Sequence, residues 1–220
     1  MQRLAKKLGF YASVFVLVSP AVLVFLWMIS LSLKNELDNT AFPPVFIPNP
    51  PTLKNYVDVF AQNNFGLYLW NSILVTGGAV LLGLIVGVPA GYGIARGKAH
   101  KFAVLILVAR MTPALSYLIP LFLLFQITGL VGSITALVIT HLVITIPIIV
   151  WIMIGYFENV PMELEDASRI DGATTWQAFR HVALPLAKPG IVVGGILAFI
   201  FSWNNFIFSV VLGGKASRTL

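Results

Sequence analysis

Cysteine is absent from this sequence, which removes disulfides and cysteine-based metal sites from consideration. Charge is scarce as well: acidic and basic residues together make up 10% of the 220 residues, and only eight are acidic. Neither an H-E-x-x-H nor a G-x-S-x-G pattern occurs, and His100, His141 and His181 are far apart, so an intramembrane enzyme has no visible catalytic set. A phosphate loop is missing too. Its nearest approach, Gly214-Lys215, has Ala216 where Ser or Thr is required and Ser209 where the earlier Gly should stand.

Apolar side chains are plentiful. They form 58% of the chain, and the mean hydropathy is +0.92, which places the protein in lipid. Five runs are long enough to cross a bilayer core of about 30 Å, at residues 9–33, 68–95, 102–125, 134–156 and 190–212. Each is expected to be a helix, because a lone segment in hydrocarbon must satisfy its own backbone. The first run exceeds a signal-peptide core of roughly 7 to 15 residues and reads as a retained span. The Pro- and Asn-rich stretch 34–66 reads as an outer loop with a short amphipathic segment near 53–60. Residues 1–67 thus form an amino-terminal segment, span and loop, and 68–220 a core of four further spans containing the polar loop 158–188.

Orientation follows from the basic residues near the span ends. An inside start puts Arg3, Lys6, Lys7, Arg96, Lys98, Lys101, Arg169, Arg180 and Lys188 in the cytoplasm, against Lys34, Lys54, Lys215 and Arg218 outside. The net charge of +6 is this topological bias, and nucleic-acid binding is disfavoured because no basic patch stands free of a membrane boundary. The eight acids all fall outside the spans, which argues against an ion-coupled secondary transporter.

The loop 158–188 is the polar exception. Pro161 suits a helix start, Glu163, Glu165 and Asp166 place negative charge over the positive end of its dipole, and Gly172 is a left-handed stop. Thr174 and Gln177 then have capping-box spacing, opening a second short helix that Pro185 is expected to end, with Trp176 and Phe179 on one face and Arg180 elsewhere. Two capped helices meeting at Gly172 make a knob projecting from the membrane.

Asp166, Ala167 and Ser168, then Gly172, then Val182, Leu184 and Pro185, resemble the E-A-A-x3-G-x9-I-x-L-P loop of permease subunits in binding-protein-dependent ABC importers. The surrounding LEDASRIDGATTWQAF is most similar to the carbohydrate-uptake branch, as in maltose-type permeases. Asp166, Ser168 and Val182 are mild departures from that pattern. The resemblance implies an all-α membrane protein of the type I importer fold, acting as one of a pair of permease subunits. It implies as partners a second permease subunit, two cytoplasmic ATPase subunits that carry ATP and Mg, and an extracytoplasmic binding protein. The chain itself would bind no cofactor or metal and catalyse no reaction. It would reside in the inner membrane with its amino terminus in the cytoplasm. The docking residues carried over are Glu165, Asp166, Ala167, Ser168, Arg169, Asp171 and Gly172, with Trp176, Phe179, Arg180 and Pro185 flanking them. Such permeases usually have a sixth span. With five spans the chain reads either as an importer subunit or as a non-transporting fragment of one.

Inside the spans, Gly83, Gly87 and Gly91 form a small-residue stripe suited to close helix packing, either within the subunit or against another. Arg110 is the one charge well inside a span, roughly 13 Å from Lys101 along an ideal helix. A structural role for it, satisfying backbone freed by Pro113 or snorkelling inward, is favoured over a place in the solute path. His141, beside Pro147, reads as a packing group. Trp203, Asn204 and Asn205 offer a ring and amides suited to a sugar, or else hydrogen bonds between helices.

Overall fold

The computed structural model describes residues 2–62 and 64–220, without the side chains of Gln2, Leu4, Ala5, Gln62, His100 and Ala114. The described residues are mainly helical and divide into two compact units, 1–65 and 66–220.

In the first unit α1 (Gln2–Ser32) is apolar and exposed along most of its length, as suits a helix whose environment is lipid. A short α2 (Glu36–Asn39) and the amphipathic α3 (Lys54–Gln62) follow, α3 lying where the sequence pattern had put such a stretch. Asn55 fastens α3 to the end of α1 by donating to the carbonyls of Ser32 at 3.0 Å and Lys34 at 2.7 Å. The buried Lys34 ammonium lies 4.0 Å from the centre of the Trp27 ring.

The second unit is built on α4 (Phe65–Arg96) and α7 (Ile134–Asn159). Between them run α5 (His100–Met111) and α6 (Ala114–Ile127), and after them α8 (Met162–Ile170), α9 (Thr175–Ala178), a π-helical turn (Phe179–Ala183), α10 (Leu184–Leu186), α11 (Lys188–Trp203) and α12 (Ile207–Leu212). Among the described residues three helices are long and apolar enough to cross a membrane, or up to five if each of two bent pairs is one span.

Two expected spans are interrupted. The third breaks at Thr112-Pro113, because Pro113 has no N–H to continue the ladder and Thr112 is driven into extended backbone before it. The fifth ends at Trp203 and resumes at Ile207. Asn204 closes α11 by donating from its side chain to Ile200 O at 2.8 Å, while the Asn205 oxygen accepts from Phe208 N at 3.5 Å and opens α12.

Glycines set how closely α4 and α7 approach. A Cβ on Gly83 would lie 2.9 Å from Thr145 Oγ1, one on Gly87 2.8 Å from Ile149 Cγ2, and one on Gly91 2.7 Å from Met153 Cβ. The stripe is therefore an internal packing face, which resolves the choice that the sequence left open. Thr145 reinforces the contact by donating to Ala79 O at 3.1 Å. Val88, Tyr92, Ile149, Met153, Phe157 and Ala198 form the main core around it, and α11 joins at Gly190, which is seated against the Tyr156 ring.

Gly91→Ala is expected to destabilise the purified subunit by about 1–3 kcal/mol, because the clash involves backbone and Cβ atoms that cannot rotate away. Gly93→Ala, where nothing lies within 4 Å of the added atom, should be neutral or slightly stabilising. Thermal unfolding in detergent measures both; equal melting temperatures for the two variants would contradict the packing assignment.

Candidate functional site

The knob folds as its punctuation dictates. Pro161 stands at the N-cap of α8, and the helix ends in a Schellman arrangement: Gly172 N–H donates to Arg169 O and Ala173 N–H to Ser168 O, each at 3.0 Å, with Gly172 at φ +90°. The capping box is complete, Gln177 N–H donating to Thr174 Oγ1 at 3.3 Å and Thr174 N–H to Gln177 Oε1 at 2.8 Å. Pro185 does not end the helical run, contrary to expectation. The wide turn over Phe179–Ala183, closed by Leu184 N–H to Phe179 O, shifts the backbone register ahead of the proline, and the chain bends only at Ala187.

Glu165 holds the knob to the membrane helices. Its side chain is fully buried, and Oε1 accepts from Arg96 Nε at 2.8 Å and Nη2 at 2.6 Å, while Oε2 accepts from the Tyr92 hydroxyl at 2.6 Å. The same guanidinium donates to the carbonyls of Phe157 at 2.8 Å and Val160 at 3.1 Å, at the end of α7. One cation therefore joins the ends of α4 and α7 to the start of the knob. Phe179 packs beneath it, 4.7 Å from the Tyr92 ring and 6.2 Å from that of Phe157.

These contacts divide the carried-over docking residues. Glu165 and Phe179 are buried in this chain, so neither side chain offers surface to a partner, a correction to their expected place. Asp166, Ala167, Arg169, Asp171, Gly172, Trp176, Arg180 and Pro185 are exposed, and Ser168 is half-buried with its hydroxyl on Glu165 O at 2.7 Å. Arg169 turns back toward Asp166 at 3.3 Å, an exposed pair of little energetic weight. Met162, Leu164, Ile170 and Trp176 add an apolar component to this outer surface.

A second feature is an open cavity bordered by α5, α6, α7, α11 and α12, at which Arg110, Thr112 and Phe201 are exposed in this chain. A cavity of about 250 Å³ is lined by Arg110, Thr112, Tyr117, Phe201 and Asn205 together with apolar residues of α7 and α12. The Arg110 guanidinium lies 5.6 Å from the centre of the Phe201 ring. The Ala109 carbonyl freed by Pro113 is not served by Arg110 as expected; Tyr117 donates to it at 2.7 Å and Thr112 N–H at 3.2 Å. Of the proposed solute-facing residues, Arg110 and Asn205 share this cavity. Trp203 and Asn204 are not among its lining residues: Trp203 stacks on Phe199 at 5.4 Å, and Asn204 caps α11.

Sequence reasoning missed Arg96, Tyr92, Tyr117 and Phe201. Arg96 had been counted only as a topological charge, and no spacing links it to Glu165. His141, read as a packing group, is buried with Nδ1 2.7 Å from Ser202 Oγ and its ring edge-on to Phe208. The side chain of His100 lies outside the described residues.

Helices of membrane length with a capped, polar knob inserted between α7 and α11 define a membrane protein of the permease class. The chain belongs to the family described as "Binding-protein-dependent transport system inner membrane component", whose model matches residues 79–219. It is 34% identical to the sulfoquinovosyl glycerol transport system permease protein SmoH of Agrobacterium fabrum, over 98% of this chain and 76% of that one. It is also 34% identical to the trehalose transport system permease protein SugB of Mycobacterium tuberculosis, over 89% and 72% of the two chains. A solved bacterial ABC transporter involved in the import of the acidic polysaccharide alginate superposes with a TM-score of 0.78 at 25% identity, covering 98% of this chain and 78% of that one. The protein is a membrane-spanning permease subunit of an ABC importer.

Arg96→Ala is expected to cost about 3–5 kcal/mol, because it strands a buried carboxylate. Tyr92→Phe should cost about 1.5–3 kcal/mol, the worth of a hydrogen bond to a charged group. A double replacement, Arg96→Met with Glu165→Leu, should recover part of the first loss. Thermal unfolding of the three variants checks the order, and an Arg96→Ala subunit as stable as the wild type would contradict the anchoring role.

Proposed function

We propose that this permease imports a carbohydrate or related small polar solute that an extracytoplasmic binding protein delivers. It works with a second permease subunit, and two cytoplasmic ATPase subunits carry the ATP and Mg. Support for the solute class comes from the relatives, whose names include both neutral and acidic saccharides. The observation that carries the coupling role is the knob: a rigid pair of capped helices, exposed on one side and held on the other to the ends of α4 and α7 through Glu165 and Arg96.

In this reading Asp166, Ile170, Asp171, Trp176 and Arg180 meet the ATPase subunit, and Glu165 and Phe179 pass its movement inward. The apolar outer residues fit a groove and the charged ones fix orientation. The basic residues favour a cytoplasmic amino terminus, which puts the knob on the ATPase side. Hydrolysis itself belongs to the ATPase subunits.

A natural chain without cysteine suits a direct test. Single Asp166→Cys and Arg180→Cys variants in the assembled importer should each cross-link to the ATPase subunit, with yields that change when ATP is bound. Trp176→Glu should reduce co-purification of the ATPase several-fold while the permease remains folded. Absence of cross-links from both positions, with ATPase present in the complex, would overturn the docking assignment.

A further inference from the structure

Arg110 is the charge that neither the fold nor the knob explains. Its expected structural duty, the carbonyl of Ala109, is performed by Tyr117 and Thr112. Its position does not fit snorkelling either. The Arg96–Glu165 contact marks the knob end of the core, the cytoplasmic end in the reading proposed above, and snorkelling to that side would draw the guanidinium back along α5 toward it. It lies instead against Phe201, roughly 20 Å along α11 from Lys188.

The surroundings are rich in donors. The lining brings together the guanidinium, the Asn205 amide and the Thr112 hydroxyl. No acidic residue is among the lining residues, and Arg110 forms no ion pair among the described residues. The remaining walls are apolar side chains of α7 with Phe201 and Phe208. Arg110 is exposed in this chain, but within a segment that lipid surrounds a guanidinium beside apolar walls is costly unless an anion reaches it, and low polarity strengthens the attraction when one does. The Phe201 ring offsets part of that cost but supplies no hydrogen-bond acceptor of carboxylate strength.

From this arrangement we infer that the cavity around Arg110 and Asn205 is a solute subsite selective for anionic carbohydrate, in which the guanidinium takes a carboxylate or sulfonate oxygen pair and the Asn205 amide a neighbouring hydroxyl. The inference rests on the carbohydrate reading and adds the charge of the solute to it. A neutral sugar would leave the guanidinium without a counter-charge, so selection operates through the charge and not through the ring.

The test uses the complete importer in lipid nanodiscs and two matched probe pairs, methyl glucoside against methyl glucuronide and cellobiose against cellobiouronic acid, with affinity measured at low and high salt. The acidic member of at least one pair should bind about 10-fold to 100-fold more tightly than its neutral counterpart, an advantage that shrinks as salt rises. Arg110→Gln should bring the acidic-to-neutral ratio close to one, Arg110→Lys should keep part of it, and Asn205→Ala should weaken both members while leaving the ratio in place. A wild-type ratio near one in both pairs, with the neutral sugars bound, would overturn the subsite and leave the carbohydrate reading intact. Binding of none of the four probes would count against both. A ratio that survives Arg110→Gln would overturn the role of Arg110. If that variant does not assemble, the wild-type ratio and the Arg110→Lys variant decide.

Discussion

A carboxylate with no exposure to water must be neutralised where it lies, and in this protein that requirement fixes how the knob is attached to the membrane helices. Glu165 meets it through two nitrogens of Arg96 and the Tyr92 hydroxyl, and Arg96 spends its remaining donors on the last carbonyls of α7. Each partner is committed to the others. Loosening any of them uncovers a buried charge or an orphaned helix end, so the start of the knob and the ends of two membrane helices are held as one body. A buried pair of this kind is weak evidence for stability as such, since apolar replacements often do as well. Its use here is geometric.

Glycine supplies what the ion pair needs. Arg96 reaches α8 and the end of α7 together only if α4 and α7 lie close along the preceding turns, and the stripe of Gly83, Gly87 and Gly91 permits that approach. The same α7 passes the Arg110 cavity at Val143, Ile144 and Ile148 before ending at the knob. A displacement applied to the knob therefore bears on an element that also walls the cavity, through packed side chains that do not compress. Breaks at Thr112-Pro113 and Asn204-Asn205 border the cavity and give it backbone ends and side chains that an unbroken span would not present.

Local signals were legible where the physics is local. The Gly172 stop, the Thr174–Gln177 box and the position of α3 follow from short-range hydrogen bonding and periodicity, and each formed as its residues imply. Pro185 misled because a proline stops a helix only when the preceding turn keeps α-helical register, and the π-helical turn over Phe179–Ala183 relaxes that condition. Apolar runs likewise announce a span without saying whether it is continuous, which is why the interruptions in the third and fifth spans were not seen.

The sequence by itself determined that this chain lives in lipid, where its polar loop begins and turns, and which importer family that loop belongs to, because hydropathy, capping and motif spacing act over a few neighbouring residues. Only the tertiary structure decided that Glu165 is a buried anchor and not a docking side chain, that the glycine stripe faces inward, and that Arg110 lies against Phe201 in a cavity that Asn205 also lines. Those outcomes depend on residues 62, 69, 91 and 95 positions apart in the chain, brought together by helix packing that no local pattern encodes.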